Sequence, residues 1–144
     1  MFDIRLDRRG RLHDAAGEIV IGDFREFFTF DLSAWSAHDY RASWARSAAH
    51  VLEGGFGRFL VSVGAPGAAM YDTWPCWRRG DEAVVLHSLL LSTLTRDFVG
   101  PEDAEAFDAT PPEADPSSHT LKLYRCALAD IVDFERRLRG ASAQ

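Results

Sequence analysis

From Trp35 to Gly55 the apolar positions recur at helical spacing. Ala37, Tyr40, Trp44, Ser47, Ala48 and Val51 fall on one stripe, and Asp39, Arg46, His50 and Glu53 fall opposite. The pattern predicts a helix over about 36–53. Ser36 is placed to cap its start, with Asp39 three residues on as the acid of a capping box. Trp35 and Tyr40 can pack across that start as a hydrophobic staple. Gly54 is expected to supply the left-handed residue that ends the helix.

Elsewhere the period is two. Residues 2–6 alternate weakly and predict an edge strand, followed by a polar loop through Arg8, Arg9 and Arg11 to Gly17. Glu18-Ile19-Val20-Ile21 is a β-branched run closed by the turn signal Gly22-Asp23. Phe24, Glu26, Phe28 and Phe30 then alternate against Arg25, Phe27, Thr29 and Asp31, a strand with one aromatic face. After the helix, residues 58–63 and 69–78 read as strands, with Pro75 marking an edge, a bulge or a bend. Arg79-Gly80-Asp81 is a tight turn. Ala83 to Leu91 is apolar on both faces except at His87 and Ser88, which predicts a central strand. A last strand is expected over His119–Cys126. A short amphipathic C-terminal helix over Asp130–Leu138 should stop at Gly140.

Short turns between successive strands make antiparallel pairs. The expected fold is therefore α+β, an antiparallel β-sheet with one long helix (about 36–53) and a short C-terminal helix packed on it. At 144 residues a single domain over 1–144 is expected. Residues 92–118 differ in kind. Asp97, Glu102, Asp103, Glu105, Asp108, Glu113 and Asp115 face only Arg96 as a base, and four prolines interrupt any regular element, so a long acidic surface loop is expected.

Charge narrows the partners. The net charge is −6, carried against fifteen arginines and one lysine. That balance argues against nucleic acid or an anionic membrane as partner and suits a basic protein. The charged N-terminal stretch Met1–Arg9 has no apolar segment of a secretion signal, and no run approaches the ~18 apolar residues of a membrane span. Cys76 and Cys126 are too few for a disulfide framework. A cytoplasmic setting with reduced thiols is expected.

Candidate chemistry is sparse. The five histidines at 13, 38, 50, 87 and 119 form no metal-ligand spacing, and neither cysteine belongs to a Cys-x-x-Cys pair, so no metal or cofactor is expected. Gly54-Gly55-Phe56-Gly57 lacks the Lys-Ser/Thr of a phosphate loop and precedes a strand. His87 and His119 could serve as general bases, although a core histidine satisfied by a local hydrogen bond is the expectation for each. No nucleophile, base and acid assemble into a set. Trp74 and Trp77 flank Pro75-Cys76 and are either core or contact anchors.

Three blocks carry a resemblance. Gly17-Glu18-Ile19-Val20-Ile21-Gly22-Asp23-Phe24-Arg25-Glu26 is followed by Trp35-Ser36-x-x-Asp39-Tyr40-x-x-x-Trp44, and then by Trp74-Pro75-Cys76-Trp77-Arg78 with the Gly80-Asp81 turn. With the ending Asp130-Ile131-Val132-Asp133-Phe134, the order over roughly 17–138 resembles the immunity proteins of contact-dependent growth inhibition systems. Residues 97–118 align with no pattern of that family. The resemblance implies a non-enzymatic cytoplasmic protein that binds and neutralises a cognate toxin domain, with a basic nuclease as the expected target. On this reading Asp97, Glu102, Asp103, Glu105 and Asp108 are the candidate electrostatic contacts and Trp74 and Trp77 the candidate anchors. The alternative is a small α+β hydrolase or ligand-binding domain using His87 or His119.

Overall fold

The computed structural model describes residues 1–7, 15–63, 70–91 and 122–142. Strands β1 (Phe2–Asp7), β2 (Ala15–Ile21) and β3 (Phe24–Phe30) come first, followed by helix α1 (Ala37–Gly54). Strands β4 (Phe56–Ser62), β5 (Met70–Arg79), β6 (Glu82–Leu86), β7 (Ser88–Leu91) and β8 (Leu123–Ala127) follow, and α2 (Leu128–Ser142) ends the chain. The α+β class is as expected. The single sheet resolves into two: a three-stranded antiparallel sheet in the order β1-β2-β3, and a five-stranded one in the order β4-β5-β6-β8 with β7 also paired to β5. Two sheets form because α1 intervenes, sending the chain to a new edge instead of on from β3.

The predicted staple and cap hold. Ser36 and Asp39 form a complete capping box, and the Trp35 and Tyr40 rings meet edge to face at 5.2 Å. The stripe buries Tyr40, Ser43, Trp44, Ser47, Ala48 and Val51. Gly54, however, stays helical, and the left-handed residue is Gly55 at φ 86°. The Gly55 carbonyl accepts from Arg78 N at 2.9 Å, opening the β4–β5 ladder, so the chain must reverse at that residue.

Helix α1 runs along the outer edge of β4. Trp44 Nε1 donates to the Leu60 carbonyl at 2.7 Å and Ser47 Oγ to the Arg58 carbonyl at 2.7 Å, while Tyr40 Oη accepts from Val63 N at 2.9 Å. These side chains take the ladder groups that an edge strand otherwise leaves open. The approach requires Gly57, where a Cβ would lie 2.2 Å from the Ser47 carbonyl oxygen. Below the helix, Phe2, Phe59 and Phe134 meet in tilted and edge-to-face contacts and join both sheets to α2.

Pro75 lies on an inner strand, not at an edge. Arg58, its partner on β4, sends its carbonyl away to Ser47, so Arg58–Pro75 is a non-hydrogen-bonded pair and the missing N–H turns to β5's other flank. On that flank the ladder is interrupted between Cys76↔Val85 and Thr73↔Ser88, so no donor is required. The same interruption divides the predicted strand 83–91 into β6 and β7 at His87. Two boundaries also move. β2 begins at Ala15, inside the expected loop, and α2 runs through Gly140, where nothing lies within 4 Å of a Cβ and no reversal is imposed.

Candidate functional site

The break between β6 and β7 brings the chain's exposed chemistry together. Trp74 on β5 is buried at 1% exposure, and the His87 imidazole stacks on its ring at 4.5 Å and 16°. His87 Nε2 pairs with Asp72 Oδ1 at 2.5 Å, with the histidine side chain 40% exposed. Alternation places Asp72 and Trp74 on the same face of β5, which is why one histidine reaches both. The expectation of a core histidine is therefore corrected: a ladder break, not burial, sets the position of His87. A carboxylate on one ring nitrogen fixes the imidazole's orientation and leaves the other free to bond.

Around Trp74 the aromatic surface continues. Phe24, just after the β2–β3 turn, stacks on Tyr124 of β8 at 3.9 Å, and both rings lie about Trp74, at 6.3 and 6.1 Å respectively. The ammonium of Lys122 sits over the same two rings, 5.9 Å from Phe24 and 5.5 Å from Tyr124. Trp74 Nε1 is buried without a hydrogen-bond partner. Asp72, Tyr124 and Lys122 carry no local signal in the sequence, since the register across β5, β6 and β8 gathers them, and the β2–β3 turn lying against β8 brings Phe24 to them from the other sheet.

Trp77 is on the opposite face of β5, at 5% exposure and 5.5 Å from Phe56. The two tryptophans thus share a strand but no surface. Arg58 is on Trp77's side, 4% exposed, with Nη1 donating to Thr73 Oγ1 at 3.2 Å and Thr73 donating on to the Ser88 carbonyl at 2.8 Å. Burial lowers the Arg58 pKa, and its Nε has no partner.

Neither thiol is activated. Burial pushes the Cys76 pKa well above that of an ordinary thiol, and burial together with the Asp130 carboxylate pushes Cys126 up to about 12. No group of three or more His, Cys, Asp or Glu residues is placed to hold a metal ion among the described residues. No helix among them is long and apolar enough to cross a membrane. Asp97, Glu102, Asp103, Glu105, Asp108 and His119 lie outside the described residues. The flanks of that stretch are described: β7 ends at Leu91, and β8 starts at Leu123 opposite Leu86, beside the His87 break.

No protein-family model matches the chain, and no curated protein does. Among solved structures, a chain of the CdiA-CT/CdiI toxin and immunity complex from Enterobacter cloacae is similar, with a TM-score of 0.82 over 97% of this chain and 99% of that one. The two sequences are 21% identical, and the likeness is one of fold.

Proposed function

We propose that this chain is an immunity protein, which binds a toxin domain and neutralises it without a reaction of its own. The observation that carries the reading is the shared fold over 97% of this chain with a component of a toxin and immunity complex. The sequence resemblance over roughly 17–138 points the same way, and both thiols are buried and unactivated.

The expected toxin is a basic nuclease acting in the cytoplasm. A net charge of −6 steers such a partner toward this chain. Asp97, Glu102, Asp103, Glu105 and Asp108 are the proposed electrostatic contacts, speeding encounter and occupying a cleft shaped for a polyanion. Trp74 and Trp77 enter the reading as buried supports: Trp74 backs His87 and the Phe24–Tyr124 pair, and Trp77 backs the opposite face. The side chains lying over these rings are the groups a toxin meets.

Co-expression with the toxin domain encoded beside it tests the proposal. Rescue of growth together with co-purification at a fixed stoichiometry is the expected result. A toxic neighbour whose toxicity persists, or one that never co-purifies, overturns it.

A further inference from the structure

The open sides of the strands are unequally protected. The outer side of β4 is taken by Tyr40, Trp44 and Ser47 of α1. That of β1 meets α2, where Arg137 Nη2 donates to the Phe2 carbonyl at 2.9 Å. β8 is short, carries Arg125, and has the β2–β3 turn against it, where a Cβ on Gly22 would lie 3.1 Å from the Arg125 carbonyl. β3 is different. It is seven residues long, an outer strand of its sheet, and among the described residues nothing hydrogen-bonds to its far side.

Its backbone is also poised. Gly22 N donates to Met1 O at 2.7 Å, which makes Phe2–Ile21 a non-hydrogen-bonded pair. Ile21 and Phe24 are then the bonded pair closing the hairpin, and Arg25, Phe27 and Thr29 turn their N–H and C=O groups outward. The same three residues share the outer face, and Phe27 in the middle is 75% exposed. Long edge strands are usually blunted by charge, bulge or cover. Here the charge is already spent, because Arg25 pairs with Glu18 of β2 at 2.7 Å.

We propose that β3 pairs antiparallel with β3 of a second copy, about a two-fold axis through Phe27, joining the two three-stranded sheets into one. The sequence Phe24-Arg25-Glu26-Phe27-Phe28-Thr29-Phe30 is self-complementary in that register. Phe27 meets its own copy as an aromatic cross-strand pair, and Arg25 meets Thr29. On the inner face Phe24 meets Phe30 and Glu26 meets Phe28. No like charges are opposed, and each outward N–H finds an outward carbonyl. The inference is independent of the immunity reading.

Phe27→Lys and Phe27→Glu test it, since the exposed side chain leaves the core untouched. By analytical ultracentrifugation the unmodified protein should show a concentration-dependent rise to about twice the monomer mass. Each variant alone should remain monomeric, and an equimolar mixture of the two should recover the dimer through a Lys–Glu pair on the axis. An unmodified protein that stays monomeric at millimolar concentration overturns the proposal. So does a dimer indifferent to both variants, or a monomer whose Phe27 variants lose toxin binding instead, which would give the edge to the toxin.

Discussion

Gly57 shows how a single residue type can decide an interface. It follows closely on the glycines that end α1, yet its own backbone lies in β4. What it provides is the close passage of α1, since a methyl group there would sit 2.2 Å from the Ser47 carbonyl oxygen. Gly57→Ala should push the helix off the strand edge and strain the bonds from Trp44 and Ser47. A loss on the order of 3 kcal/mol in chemical denaturation is expected. Gly54→Ala, with nothing within 4 Å of its Cβ, should be neutral or slightly stabilising and serves as the control. The cysteines give a second test at this scale. With Cys126 pushed up to about 12 and Cys76 buried beyond solvent, neither should react with iodoacetamide at pH 8 in the folded protein. Both should alkylate in guanidinium, as mass spectrometry would show. Rapid labelling of the folded state would contradict the packing.

At the scale of elements, α1 was the most legible part of the chain because everything that starts it is local. Ser36 and Asp39 exchange hydrogen bonds across three residues, the Ser36 N–H donating to Asp39 Oδ2 at 2.9 Å and the Asp39 N–H to Ser36 Oγ at 3.2 Å. Ser36→Ala should therefore cost about 1 kcal/mol in a urea melt. The pH dependence has a definite sign. The bonds from Ser36 lower the Asp39 pKa, so the ionised carboxylate stabilises the fold above the unfolded-state value, and that contribution is lost as pH falls through the folded one. The stability difference between the natural protein and Asp39→Asn should be largest near neutrality and close progressively below pH ~4. A difference that is flat down to pH ~2 would remove the box from the account. The same helix ends one residue later than its glycine pattern predicts, because the Gly55–Arg78 hydrogen bond at its end reaches into another strand.

For the whole molecule, charge and surface matter more than any single packing contact. Reversing Asp97, Glu102, Asp103, Glu105 and Asp108 to lysine, two charges at each of five positions, takes the net charge from −6 to +4 and should slow association with the proposed toxin partner. Salt should no longer slow the variant, because the long-range attraction that screening weakens is gone. Stopped-flow association at low and high ionic strength reads both effects. An unchanged rate and salt slope would make the acidic stretch a bystander. Variants under Trp74 and Trp77 belong to a different class, since truncating buried rings alters the folded surface before it alters any contact.

What the sequence by itself determined is what depends on neighbours a few residues apart: the capped helix, the turns at Gly22-Asp23 and Gly80, the amphipathic C-terminal segment and the acidic balance. The resemblance to immunity proteins belongs to the same level, for Trp35, Tyr40 and Trp44 sit in the helix that organises the scaffold. Only the tertiary structure decided the rest. It divided the strands between two sheets, placed Pro75 opposite a ladder break, and moved His87 from an expected core to an exposed ring stacked on Trp74. It also set Trp74 and Trp77 on opposite faces and, among the described residues, left the far side of β3 without a hydrogen-bonded partner. The physical reason is range. Periodicity and capping are encoded within one or two turns of chain, whereas register is chosen by which distant strands bury the most apolar surface while leaving the fewest backbone groups unpaired.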